Sequence, residues 1–141
     1  MPADFQNPSD PEIRALLEHA RTIAVVGLSP RPARDSHAIA RFLIEKGYRV
    51  FGVRPGCEEI LGRPCYPKLS DVLEKIDLVD VFRRSEFVPG HVEEAIAAGA
   101  KALWLQLGVV HEAAALRARE QGLTVVMNRC IAVEYGRLIG F

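Results

Sequence analysis

The sequence predicts an α/β fold with a five-stranded, doubly wound parallel sheet that is covered by helices on both faces. Five short apolar runs, rich in β-branched residues, have the length of strands, and helical apolar patterns separate most of them. A glycine ends a helix shortly before a strand at Gly47, Gly99 and Gly122. Because the runs are apolar throughout rather than alternating, the strands are expected to be parallel and buried on both faces. The predicted strand order is 3-2-1-4-5.

The predicted elements follow one another in a regular order along the chain. The first is a helix at residues 9–21, in which Ser9 and Glu12 form a capping-box pattern and Pro11 lies in the first turn. The predicted strands are residues 23–27, 49–53, 78–82, 102–107 and 124–127. The predicted helices between them are residues 36–46, a short helix after Ser70 with Val72, Leu73 and Ile76 facing inward, residues 89–98 and residues 112–121.

The length and composition indicate an ordinary globular domain. The 141 residues are expected to form one domain, 1–141, in which residues 1–21 are a helix and lead-in. The formal net charge is zero, so no overall field directs the chain to nucleic acid or to an anionic membrane, and an anion site must be local. Neither a signal-peptide pattern nor a membrane-spanning run is found, and the three cysteines lack CxxC spacing. These features predict a cytoplasmic location.

The loops that follow the strands are the expected place for a binding site. In open α/β sheets, ligands bind beyond the carboxyl ends of the strands, near the point where the strand order reverses. That switch point is predicted to lie between the first and the fourth predicted strands. The loops in question are residues 27–31, 54–56, 83–85, 106–108 and 128–130.

The loop after the first strand departs from the dinucleotide-binding pattern GxGxxG. Gly27 occupies the first glycine position, but Ser29 and Pro32 occupy the other two. Pro30 and Pro32 have no N–H group to donate to a phosphate, whereas Ser29 and Arg31 offer hydrogen-bond donors. The loop is therefore a poor dinucleotide fingerprint but a credible phosphate-binding loop.

The arginine at the end of the second predicted strand narrows the choice of ligand. A NAD site has an acidic residue there to bind the ribose hydroxyls, whereas this chain has Arg54. A cation favours a phosphorylated ribose, as in NADP or the 3′-phosphate of coenzyme A (CoA). Arg83 and Arg84 follow the third predicted strand, and each arginine alone is compatible with an ordinary surface role. Their common position at strand ends favours an anion site, with CoA and NADP both open.

Several segments together resemble a known family. They are IAVVGLSPRP, GYRVFGVRPG, EILGRPCYPKLSDV, DLVDVFRR, EEAIAAGAKALWLQLGV and AREQGLTVVMNRCIAVEYGRL. In this order and spacing they resemble the stand-alone bacterial CoA-binding proteins, which are similar to the N-terminal CoA-binding domain of the succinyl-CoA synthetase alpha subunit. The resemblance covers residues 22–138 and implies a Rossmann-like fold that binds CoA across the carboxyl ends of the strands.

The resemblance also implies which residues contact the cofactor. The predicted cofactor-binding set is Gly27, Ser29, Pro30, Arg31, Pro32, Arg54, Pro55, Arg83, Arg84, Gln106, Leu107 and Gly108. The synthetases have a lysine two residues after the proline of the second loop, where this chain has Cys57. They also have a proline-containing loop where this chain has Phe82, Arg83 and Arg84. The synthetases carry their phosphorylated histidine in a following domain, so the resemblance implies binding of CoA rather than ligation.

The expected function is non-catalytic binding of CoA or an acyl-CoA. No GxSxG motif is present, and the four histidines are scattered without metal-ligand spacing, so no catalytic or metal residue is predicted. The expected partner is a small-molecule ligand, with no nucleic acid and no membrane, and a protein partner is left open. An NADP-type oxidoreductase and a ligand-free interaction module on the same fold remain alternatives. A minor possibility is that Cys130, beside Arg129, forms a mixed disulfide with the thiol of CoA.

Overall fold

A computed structural model describes residues 4–140 of the chain and contains one seven-stranded sheet. The strands are β1 (Thr22–Val26), β2 (Arg49–Val53), β3 (Glu59–Ile60), β4 (Arg63–Tyr66), β5 (Leu78–Val81), β6 (Ala102–Leu105) and β7 (Thr124–Met127). The α-helices are α1 (Asp10–His19), α2 (Asp35–Glu45), α3 (Val88–Ala97), α4 (Glu112–Glu120) and α5 (Ile131–Leu138). The architecture is the α/β open sheet that the sequence predicts, in the Rossmann-like form that the resemblance implied.

The number and order of the strands differ from the prediction. The observed order is β3-β4-β2-β1-β5-β6-β7, in which β3 pairs antiparallel with β4 and every other pair is parallel. The third predicted strand is β5, and it pairs directly with β1 rather than lying beyond β2. The place beyond β2 belongs to β4. The predicted order 3-2-1-4-5 of the five strands is therefore wrong, and the switch point lies between β1 and β5.

The sheet is covered on both faces, as predicted, because successive strand residues point to opposite sides. Ile23 and Val25 of β1 belong to a buried cluster that contains residues of α1, α2 and α5. Ala24 and Val26 belong to a second buried cluster that contains residues of α3 and α4. This double coverage explains why β1, β5 and β6 are apolar along almost their whole length.

The helices differ from the prediction in two places: one predicted helix is absent, and one observed helix was not predicted. The segment after Ser70 forms no α-helix: a single 3₁₀ turn at Leu69–Asp71 ends in extended backbone at Val72, and Leu73 is 92% exposed instead of facing inward. The chain needs only this turn, since Leu69 and Ile76 are buried by an otherwise extended connection to β5. Conversely, α5 was not predicted. It follows the last strand and buries Ile131 against the sheet.

Candidate functional site

A cavity of about 860 Å³ lies where β1, β2 and β5 end, which is the observed switch point of the sheet. Its size is within the usual range for small-molecule sites. It is formed by the loops after these three strands together with the first turn of α2. The lining residues are Gly27, Ser29, Arg31, Ala33, Arg34, Asp35, Ser36, Arg54, Pro55, Phe82 and Arg83.

Gly27 brings the three strand ends together. Its N–H donates to the carbonyl oxygen of Val53 at 2.9 Å, which links the end of β1 to the end of β2. Its φ of 86° lies in the left-handed region, and a Cβ at this position would be 2.8 Å from the carbonyl oxygen of Phe82, just after β5. Both the backbone conformation and the close approach therefore require glycine.

The loop after β1 is held by two buried side chains at the start of α2. The N–H of Ser29 donates to Oγ of Ser36 at 2.9 Å, and Nδ1 of His37 donates to the carbonyl oxygen of Ser29 at 2.9 Å. Within the loop, the N–H of Arg31 donates to Oγ of Ser29 at 3.1 Å, and the N–H of Arg34 donates to the carbonyl oxygen of Arg31 at 3.0 Å. The backbone of the loop is thus fixed by α2 before any ligand arrives.

The amino end of α2 faces the same cavity. Arg34 is the N-cap residue, and its side chain makes no capping hydrogen bond. The N–H groups of Asp35 and Ser36 have no acceptor between residues 4 and 140. Free N–H groups and the positive end of a helix dipole attract anions, so this turn offers a phosphate two donors.

Four arginines from the three loops converge on the cavity: Arg31, Arg34, Arg54 and Arg83. In the described part of the chain none of these guanidinium groups forms an ion pair, whereas the neighbouring Arg84 lies 3.7 Å from Glu86. Asp35 is the one acidic residue among the lining residues. The cavity is therefore locally positive in a chain whose formal net charge is zero.

Arg54 and Arg83 are the more constrained members of this group, since both are half-buried while Arg31 and Arg34 are exposed. The guanidinium group of Arg83 lies 4.7 Å from the ring centre of Phe87, which fixes its orientation by a cation–π contact. The N–H of Arg54 donates to the carbonyl oxygen of Tyr66 at 2.8 Å, so β4 anchors the backbone from which the Arg54 side chain extends.

Half of the predicted cofactor-binding residues line this cavity. They are Gly27, Ser29, Arg31, Arg54, Pro55 and Arg83. The other predicted residues do not line it: Pro30, Pro32, Arg84, Gln106, Leu107 and Gly108. The last three follow β6, which is separated from β1 by β5.

Local contacts explain what the loop after β6 does instead. Gln106 is buried, and its Oε1 accepts from the N–H of Ile131 at 3.2 Å, at the start of α5. The N–H of Gly108 donates to Oδ1 of Asn128 at 2.8 Å. These bonds tie β6 to the loop after β7, and Leu107 is left 71% exposed.

Five lining residues lie outside the predicted cofactor-binding set: Ala33, Arg34, Asp35, Ser36 and Phe82. Four of them belong to the end of the first loop and the first turn of α2. The length of that loop in the sequence could have indicated this, because a loop that continues beyond the two prolines can return Arg34 to the strand ends. His37, in the first turn of α2, supports the loop through the carbonyl oxygen of Ser29.

The sequence of this site matches a known family. The family model of the CoA-binding domain matches residues 21–136, which include every lining residue of the cavity. The chain belongs to this CoA-binding domain family. This confirms the family that the sequence segments suggested.

Relatives of two kinds share the domain. The protein YneT of Bacillus subtilis is 42% identical over 131 residues, which are 93% of this chain and 97% of YneT. The ADP-forming acetate–CoA ligase I of Archaeoglobus fulgidus is 35% identical over 78 residues, which are 55% of this chain and only 11% of the ligase. The CoA-binding domain thus occurs both in a protein of similar length and as a small part of a much longer enzyme.

The fold of this CoA-binding domain is also close to solved structures. A protein of Pyrococcus horikoshii superposes with a TM-score of 0.91 at 40% identity, covering 99% of this chain and 100% of that protein. Between residues 4 and 140, no helix has the length and apolar character needed to cross a membrane.

Proposed function

We propose that the chain binds CoA or an acyl-CoA in the cavity at the ends of β1, β2 and β5. The observation that carries this proposal is the group of four arginines that line this cavity, none of which has an ion-pair partner among residues 4–140, in a member of the CoA-binding domain family. Arginines without carboxylate partners, gathered from three separate loops, are suited to a ligand with several phosphate groups.

The phosphates of CoA match two parts of the cavity. The pyrophosphate fits the loop after β1, where the free N–H groups of Asp35 and Ser36 and the guanidinium group of Arg34 are available. The 3′-phosphate of the ribose fits Arg54, since the residue at the end of the second strand faces the ribose in this type of sheet.

Arg54 would equally suit the 2′-phosphate of NADP, so an NADP site is the first alternative. The loop after β1 argues against it, because Pro30 and Pro32 lack the N–H groups and Ser29 and Pro32 replace the glycines of a dinucleotide loop. A ligand-free interaction module is the other alternative. The absence of carboxylate partners for the four arginines in the described chain argues for an anionic ligand instead.

The proposed role is binding without catalysis. The hydroxyls that line the cavity are engaged in structure: Oγ of Ser29 accepts from Arg31, and Oγ of Ser36 accepts from Ser29. His37 is turned to the carbonyl oxygen of Ser29, so no serine in the cavity is paired with a general base. Cys130 does not line the cavity and serves as the N-cap residue of α5.

The deciding experiment is calorimetric titration of the full chain with CoA, acetyl-CoA, dephospho-CoA, NADP and NAD. We expect saturable binding of CoA and acetyl-CoA, weaker binding of dephospho-CoA, and no heat with NAD or NADP. Arg83→Ala is expected to weaken CoA binding, whereas Arg84→Ala is a matched control, since Arg84 lies on the same loop but outside the cavity. Binding of NADP in preference to CoA would replace the proposal with a dinucleotide site, and silence from all five ligands would favour the interaction module.

A further inference from the structure

Two of the three cysteines lie together at the edge of the sheet. Cys65 is in β4 and buried, and Cys57 is a half-buried residue just before β3. The two strands form a hairpin in which Glu59 faces Pro64 and Ile60 faces Arg63, with Leu61 and Gly62 as the loop. Both thiols are free.

The backbone of the hairpin brings the two cysteines next to each other, while the Cys57 thiol donates to the carbonyl oxygen of Glu59 at 3.6 Å. The N–H of Cys65 donates to the carbonyl oxygen of Glu58 at 2.9 Å, which fixes β4 against the residue that follows Cys57. Burial raises the pKa of the Cys65 thiol to about 12, and the nearby Cys57 thiol adds to the rise. Both side chains pack against the same apolar cluster.

The pair is adjacent to the proposed ligand site. Cys57 follows Arg54 after only Pro55 and Gly56, and the guanidinium group of Arg54 is close enough to Cys65 to act on the pKa of its thiol. Arg54 and Pro55 both line the cavity. A change in the position of Cys57 is therefore transmitted directly to the turn that carries Arg54.

We propose that Cys57 and Cys65 are a redox-active pair that a peroxide closes into an intramolecular disulfide, and that this closure weakens ligand binding at Arg54. The second part of the proposal rests on the proposed function. The first part is independent of it, since it concerns only the two thiols and the oxidant.

Cys57, the less buried member of the pair, reacts first. The Cys57 thiol loses its proton and its sulfur attacks one oxygen of the peroxide; the O–O bond breaks, Cys57 becomes a sulfenic acid, and the other oxygen leaves as hydroxide, which takes up the released proton to give water. The Cys65 sulfur then attacks the Cys57 sulfur, the S–O bond breaks, and the proton of Cys65 goes to the departing hydroxide. In sum, two thiols and one hydrogen peroxide give one disulfide and two waters. Burial and the raised pKa make Cys65 the less reactive thiol towards peroxide, which is why Cys57 is the first of the two to be oxidised.

The test uses full-length Cys130→Ser protein, in which only the pair remains, treated with hydrogen peroxide. We expect the free thiol count to fall from two to zero, the mass to decrease by two hydrogen atoms, and peptide mapping to join Cys57 to Cys65. In the same background, Cys65→Ala is expected to stop at a Cys57 sulfenic acid that dimedone traps. Cys57→Ser is expected to leave Cys65 unmodified, because the remaining thiol is buried.

Other outcomes overturn the first part of the proposal. One is a disulfide between two chains, and another is loss of thiols without the loss of two hydrogen atoms in mass. A third is that dimedone traps Cys65 in the Cys57→Ser protein as fast as it traps Cys57 in the Cys65→Ala protein. These results are read from mass and thiol counts, so they remain decisive even if the protein binds no CoA.

The second part is tested by titrating CoA into reduced and oxidised Cys130→Ser protein. We expect the dissociation constant to rise at least three-fold on oxidation and to return after reduction with dithiothreitol. Equal affinity in the two states overturns the coupling, whereas absence of binding in the reduced state overturns the proposed function and leaves the disulfide result standing.

Discussion

Asp80 offers a direct test of the electrostatics inside the sheet. It lies in β5, in register with Val25 on one side and Trp104 on the other, and it is completely buried. Neither carboxyl oxygen has a hydrogen-bond partner in the part of the chain that the structure describes. Burial therefore raises the pKa of Asp80 well above its ordinary value, and the folded protein holds this carboxyl in the neutral form.

The consequence is a stability that falls as pH rises. The unfolded chain loses the proton of Asp80 near pH 4, whereas the folded chain keeps it up to the raised pKa. Between these two values the folded state binds one more proton, so Asp80 lowers the free energy of unfolding by about 1.4 kcal/mol for each pH unit. The contribution is fully present below the unfolded pKa and is lost as the pH increases through this window.

The perturbation is Asp80→Asn, which keeps the shape of the neutral carboxyl and removes its titration. Urea unfolding of both proteins at several values between pH 4 and pH 7 measures the difference in the free energy of unfolding. Near pH 4 we expect the two proteins to have similar free energies of unfolding. Above pH 4 the free energy of unfolding of the variant should rise relative to that of wild type by about 1.4 kcal/mol per pH unit, until the raised pKa of Asp80 is passed. All other titrating groups cancel in the difference.

Asp77, three residues earlier, is the matched control with the opposite sign. Although partial burial opposes the shift, the N–H groups of Arg21 at 2.8 Å and Thr22 at 3.0 Å lower the pKa of its carboxyl. Its contribution is present above the unfolded pKa and lost as the pH falls, so Asp77→Asn should cost most at neutral pH. A difference between wild type and Asp80→Asn that stays constant with pH would refute the reasoning, since it means that Asp80 is ionised in the folded protein.

Three further predictions concern the cavity. Arg54→Ala is expected to weaken CoA about ten-fold or more with the fold intact, and the variant should barely distinguish CoA from dephospho-CoA in calorimetry; equal discrimination by both proteins would move the 3′-phosphate elsewhere. Gly27→Ala is expected to destabilise the protein in urea by about 1–3 kcal/mol. It should cost more than Gly47→Ala, because Gly47 has a similar φ but open space around its missing Cβ; equal costs would exclude crowding against Phe82. CoA should raise the melting temperature with concentration while acetyl-CoA survives incubation intact, as followed by chromatography; thioester loss that disappears in Cys130→Ala would make Cys130 a nucleophile.

The elements around β1 show what the local sequence pattern can predict. Its apolar run, Gly27 after it and the capped helix before it all lie where the sequence predicts them, because each depends on residues that are neighbours along the chain. The arginines at the strand ends could also be predicted from the sequence, since a parallel sheet brings the carboxyl ends of its strands to one edge. Arg34 was recognised as part of the first loop but left out of the predicted cofactor-binding set, because whether the end of that loop turns back to the cavity depends on contacts such as Ser36 with Ser29.

The sequence by itself determined the α/β class, the family and most of the buried strands, since periodicity and β-branched content report the local environment of each residue. Only the tertiary structure decided the strand order and the loops that meet at the cavity. The strand β4 has an exposed proline, Pro64, and no apolar run; it is held beside β2 by backbone pairing of Gly52 with Cys65 and of Val53 with Tyr66. Backbone hydrogen bonds leave no side-chain pattern in the sequence. The position of β4 beside β2, which leaves β5 beside β1 and so determines which loops form the cavity, could therefore be seen only in the folded chain.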